Sequence, residues 1–119
     1  MNKDEKPIPM GKRTRAFALK IIGLSARLPR SREGDVIGNQ LLRSGTSIGA
    51  NYAEADNSRS KAEFIAKAGD ALREAAETIY WLELLKESEF FAVDVDGLRL
   101  EACELKAILA SMIRNSRSS

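Results

Sequence analysis

Residues 41–55 read LLRSGTSIGANYAEA. Locally this is turn composition, with Gly45 and Gly49 in a G-x-x-x-G spacing among Ser44, Thr46, Ser47 and Asn51. The apolar pattern nevertheless runs straight through it. Leu41, Gly45, Ile48, Tyr52 and Ala55 step by four, three, four and three residues, which is the spacing of one helix face. The stretch is therefore predicted to be helix, with Gly45 on the stripe itself and Gly49 and Ala53 following at i+4 and i+8. A helical glycine costs roughly 1 kcal/mol relative to alanine. Such a cost is tolerated where the missing side chain lets a second backbone come close. The alternative is that one glycine marks a kink.

The same periodicity extends in both directions. On the N-terminal side, residues 1–11 contain two prolines and few large apolar side chains, and are expected to form a flexible tail. A first helix is predicted over Lys12–Leu28, where Phe17, Ile21, Leu24 and Leu28 share a face. Pro29 ends it, because the residue before a proline is biased away from the helical region. Ser31 is the expected N-cap of the second helix, with Glu33 in its first turn.

On the C-terminal side, ADNSRS breaks the pattern and Ser60 opens a capping box with Glu63. The third helix is predicted over Lys61–Glu87, its stripe being Phe64, Ala68, Ala71, Ala75, Thr78, Leu82 and Leu85. After SEFFAVDVDG, Asp94 or Asp96 can cap a fourth helix carrying Leu98, Ala102, Leu105, Leu109 and Met112. Residues 116–119 are expected to fray. Four amphipathic helices with short connections predict an all-α fold, an antiparallel up-down four-helix bundle over residues 12–115.

Composition narrows the function. The chain has 119 residues, 44% hydrophobic and 30% charged, which suits one globular domain. It has no histidine, and so lacks the commonest general base and the commonest transition-metal ligand. Cys103 is the only cysteine. It permits no intrachain disulfide and reads most simply as a small buried hydrophobe. No apolar run is long enough for a transmembrane helix. Lys20 interrupts AFALKIIGLSA, which argues against a signal peptide, so a cytoplasmic protein is expected.

Candidate chemistry is sparse. The pairs Glu74/Glu77 and Glu101/Glu104 stand at i, i+3, but di-metal bundles also need inward histidines. Nothing local marks an activating base for a serine or threonine nucleophile. RSGTSIG lacks the G-K-[ST] ending of a phosphate loop. No catalytic residue, metal site or cofactor is predicted.

Helices two and three each carry another ordered face. On helix two it is Gln40, Ser44, Ser47, Asn51 and Glu54; on helix three it is Glu63, Lys67, Asp70, Glu74, Glu77, Trp81 and Leu84. Trp81 is either at the rim of the core or in a subunit contact, where tryptophan is enriched. Arg43 can pair with Glu74 or Glu77, within one chain or between two. Arg43, Gly45, Gly49, Asn51, Tyr52, Glu74, Glu77 and Trp81 are therefore candidates for helix–helix or subunit contact.

The net charge of +2 is uneven. Residues 1–45 hold ten Lys/Arg against four Asp/Glu, whereas residues 46–87 hold five against eight. The candidate phosphate-binding cations are Lys12, Arg13, Arg15, Lys20, Arg27, Arg30 and Arg32. The plainer reading is that they form solvated helix faces.

Residues 40–85, with LLRSGTSIGANYAEA, SKAEFIAK and ETIYWLELL as their closest features, resemble the four-helix-bundle family of 23S rRNA-intervening-sequence proteins. FALKIIGLSARLPRS upstream and LEACELKAIL downstream fit as well. The resemblance implies a four-helix bundle assembling as a ring-like homopentamer. It implies no enzymatic activity. A related group serves as accessory proteins of diversity-generating retroelements, with a basic surface implicated in holding nucleic acid. The sequence reading is thus a non-catalytic homo-oligomer associated with RNA or DNA. The alternative is a structural adaptor that binds another protein.

Overall fold

The computed structural model describes residues 7–88 and 93–119. Four helices make up the fold: α1 (Met10–Arg27), α2 (Arg32–Asp56), α3 (Lys61–Glu87) and α4 (Asp96–Ser118). Among the described residues there is no strand. The stretch 41–55 is continuous helix inside α2, so neither glycine breaks it.

Caps fix most boundaries. Ser31 Oγ accepts from Gly34 N at 3.0 Å, and Ser60 Oγ accepts from Glu63 N at 3.0 Å. The return arm of the second box closes on Arg59, whose main-chain N–H reaches Glu63 Oε2 at 3.4 Å. Asp94 caps α4 from one residue outside the N-cap, its Oδ1 accepting from Asp96 N at 3.1 Å. Asp96 instead pairs with Lys86 at 2.7 Å.

Two boundaries differ from the sequence reading. Helix α1 begins at Met10 rather than Lys12, because Pro9 O accepts from Arg13 N at 3.0 Å and Met10 is buried. Pro7–Pro9 are the non-helical part of the tail, and residues 1–6 lie outside the described residues. Helix α4 continues to Ser118 rather than fraying from residue 116. Its terminal serines fold back onto main-chain carbonyls: Ser118 Oγ on Arg114 O at 3.1 Å and Ser119 Oγ on Ser116 O at 3.0 Å.

Each helix packs on its neighbour in sequence, and α1 closes on α4 along the thinnest seam. The diagonal pairs do not pack among the described residues. Partner numbers converge toward each connection. Ser44 meets Thr78 and Glu54 meets Lys67 across α2–α3, while Asp96 meets Lys86 and Arg99 meets Glu83 across α3–α4. The core is built from the predicted stripes: Phe17, Ile21 and Leu24; Leu41 and Ile48; Leu82 and Leu85; Leu105 and Leu109. Ala68, Ala71 and Ala75 line the N-terminal half of α3 with no exposure.

Cys103 corrects the sequence reading, for it is exposed. Ala102 and Leu105 hold the core face of α4, and one helical step from Ala102 turns Cys103 outward.

Candidate nucleic-acid interface

Helix α2 lies so close to α1 that glycine is needed for space and not for backbone conformation. No described glycine has positive φ. A β-carbon on Gly45 would strike Ile21 Cγ2 of α1 at 2.8 Å, and one on Gly34 would strike Pro29 O at the corner at 2.1 Å. This close seam holds α1, and with it the candidate cations, at a fixed height on the bundle.

The second faces of α2 and α3 meet each other within one chain. Arg43 pairs with Glu74 at 3.4 Å and with Glu77, and Lys67 pairs with Glu54 at 2.9 Å. The hydrogen bond that Arg43 donates to Glu77, followed by the charge of Glu77, raises the Arg43 guanidinium above its ordinary value. Asn51 Nδ2 donates to Ser47 O at 2.9 Å on its own helix. Tyr52 and Trp81 are half-buried against the core. Desolvation, then the charge of Asp56, pushes the Tyr52 phenol up. The Trp81 ring meets Tyr80 edge-on, with centroids 5.1 Å apart at 74°.

Of the seven candidate cations, Arg13 is withdrawn from the site. Its Nε and Nη2 grip both oxygens of Glu101, at 2.8 and 2.7 Å, and Nη2 also reaches Glu104. The guanidinium is held above its ordinary value, chiefly by the Glu101 hydrogen bond, and Glu101 is lowered in return by the bond from Arg13. Arg13 thus binds α1 to α4 and is not open to phosphate.

Lys12, Arg15, Lys20, Arg27, Arg30 and Arg32 are exposed and make no ion pair among the described residues. They do not form one patch. Lys12 and Arg15 stand at the start of α1, and Arg27, Arg30 and Arg32 surround the Pro29 corner. Arg30 shares a cleft of about 300 Å³ with Asp35, and Arg27 shares one with Asp94.

Residues 8–111, which take in nearly all of the four helices, match the sequence model of the 23S rRNA-intervening sequence protein family. The chain belongs to that family. It is also similar to a crystal structure of a protein of unknown function from the S23 ribosomal protein family of Bacteroides thetaiotaomicron. The two share 39% identity with a TM-score of 0.81, covering 88% of this chain and 98% of that one. No functionally curated protein matches the chain.

Sequence reasoning missed several residues that organise this member of the 23S rRNA-intervening sequence family. Gly34 and Gly38 continue the glycine row toward the corner, where a β-carbon on Gly38 would touch Leu28 Cδ1 at 3.5 Å. Their spacing of four, repeated at Gly45 and Gly49, was the available signal. Arg59, Arg114 and Arg117 are exposed cations at one end of the bundle. No local signal could have grouped them, because α4 returns to the start of α3 only in the fold. Among the described residues no helix is long and apolar enough to cross a membrane.

Proposed function

We propose that this protein is a non-catalytic, cytoplasmic homo-oligomer that associates with RNA through an exposed basic surface. The observation that carries the reading is electrostatic. The cations of α1 and the Pro29 corner, Arg13 excepted, and Arg59, Arg114 and Arg117 near the α2–α3 connection and the close of α4, face solvent without a salt-bridge partner among the described residues, whereas Arg43 and Lys67 on the α2–α3 seam are matched by carboxylates. Unpaired arginine and lysine are suited to phosphate backbones, with little sequence preference.

The bundle is read as antiparallel, up-down-up-down, which the convergence of partner numbers toward each connection supports. The assembly is read as a ring-like homopentamer. Exposed Leu19, Ile22, Val36, Leu42, Tyr80 and Leu100 support surfaces that another copy covers. A ring repeats each cationic group around its rim, turning modest sites into a multivalent surface.

The test is a titration of structured RNA and single-stranded DNA at about 50 and about 200 mM salt, where phosphate contacts lose affinity steeply. Binding that weakens as salt rises supports the reading. No binding near the lower salt counts against it and favours a protein adaptor.

A further inference from the structure

We propose that the RNA-contacting surface is centred on the end of the bundle where the α2–α3 connection meets the close of α4, with Arg59, Lys61, Arg114 and Arg117 as its cations. This rests on the RNA-associated reading and names its site.

Arg59 and Lys61 line a cleft of about 410 Å³ with Ser58, Ser60, Ser116 and Ser119. Lys61 Nζ donates to the main-chain oxygen of Ser119, which ties the first turn of α3 to the end of α4. Arg114 and Arg117 stand exposed on the last turns of that helix. No carboxylate side chain lines the cleft. Arg59, Arg114 and Arg117 make no ion pair among the described residues. Glu63, four residues after Arg59, is engaged with the Arg59 main-chain N–H, and Asp56 stands three residues before it. Arg15 lines a separate cleft between α1 and α2, beside Asn57 and Asp56.

The Pro29 corner contrasts with this end. Each of its arginines has a carboxylate neighbour: Asp94 beside Arg27, Asp35 beside Arg30, and Glu33 next in sequence to Arg32. A phosphodiester entering there shares its clefts with carboxylate side chains, whereas the cleft at the other end is lined by Arg59, Lys61 and serines with no carboxylate side chain, Lys61 being held by the main-chain oxygen of Ser119. Arginine forks and serine hydroxyls are the usual partners of phosphate oxygens. The two ends therefore carry similar numbers of arginines but differ in what surrounds them.

The experiment compares two charge-matched variants, Arg59/Arg114/Arg117→Gln and Arg27/Arg30/Arg32→Gln. Each removes three exposed positive charges, and helical circular dichroism checks that both fold. The parent and the two variants are titrated with a labelled RNA hairpin between about 50 and about 200 mM salt. The expected result is at least about a tenfold loss for the first variant, with a salt slope shallower by about 2–3, and a change within about threefold for the second. An equal or larger loss in the corner variant overturns the site while leaving RNA association standing. A parent that fails to bind the hairpin near the lower salt overturns both. Poly-glutamate binding as tightly as the hairpin overturns the phosphate assignment in favour of an acidic protein partner.

Discussion

Gly45 lies so close beneath Ile21 that a β-carbon there would stand 2.8 Å from Ile21 Cγ2 and 2.9 Å from Cγ1. Both atoms belong to a side chain with no exposure, so it has nowhere to move. Gly45→Ala gains about 1 kcal/mol of helix propensity but overpacks the seam at about 1–3 kcal/mol. A net loss of stability is expected. Gly69→Ala is the control, since nothing lies within 4 Å of its β-carbon. It should stabilise the protein by about 0.5–1 kcal/mol. Urea midpoints with unchanged slopes would read both. Equal signs for the two substitutions would refute the close-packing account.

Gly49 faces Thr14 rather than Ile21, with contacts of 3.1 and 3.2 Å to Oγ1 and Cβ. Alanine there demands only a small shift, so the informative change is larger. Gly49→Leu should cost roughly 1–3 kcal/mol through overpacking. A variant that melts at or above the parent temperature would mean that this end of the seam is not tight.

Ser44 Oγ and Thr78 Oγ1 lie 3.0 Å apart in the core, each also within reach of a carbonyl four residues back. Each hydroxyl brings one proton, so the pair links α2 and α3 without leaving a buried oxygen bare. Thr78→Val keeps the shape and leaves Ser44 bonded to Gln40 O. It should cost about 0.5–1.5 kcal/mol. Ser44→Val adds bulk at a fully buried point and should cost more. Reversed order in thermal melts would show that the seam has slack at Ser44.

The Arg13–Glu101 pair should appear in the acid limb of the stability profile. Glu101 is held below its ordinary value in the fold, mainly by the hydrogen bond from Arg13 and against desolvation. The unfolded chain therefore takes up the proton more readily. The contribution is fully present above about pH 4.3 and is lost as pH falls through the depressed folded value. Both side chains are 26% exposed, so about 1–2 kcal/mol is expected after screening. Glu101→Gln should cost that much at neutral pH and converge on the parent in acid, as followed by urea midpoints from about pH 7 to pH 3. A constant gap across that range would show that the pair is not the source.

Repeating local geometry carried most of the fold in the sequence. The steps from Leu41 to Ala55 and from Ala68 to Leu85 name the buried face directly, and Ser31 and Ser60 sit where their hydroxyls cap. The misses are residues whose surroundings come from far along the chain. Arg13 reads as a free cation until the fold brings Glu101 to it, 88 positions away. Cys103 reads as buried only if one ignores the turn from Ala102. Arg59 and Arg117 come to the same end of the bundle only once α4 lies along α3. Helix ends were misjudged where polar residues, such as Ser118, satisfy main-chain carbonyls and so prolong a helix that composition alone would end.

Tyr80 and Trp81 are adjacent on α3, yet they make opposite predictions. Trp81 packs on the core, and Trp81→Ala should cost about 2–4 kcal/mol, less than a fully buried ring would. Tyr80 is 55% exposed, and Tyr80→Ala should leave subunit stability within about 0.5 kcal/mol. Any further effect of losing Tyr80 must then come from outside the chain. If the outer face of α3 contacts another copy, Tyr80→Ala lowers the mass seen by light scattering at micromolar concentration while the helical signal is unchanged. An unchanged oligomer mass would remove that face from the interface. A parent mass of 13.1 kDa would remove the ring itself, and the exposed apolar side chains would then need a different partner.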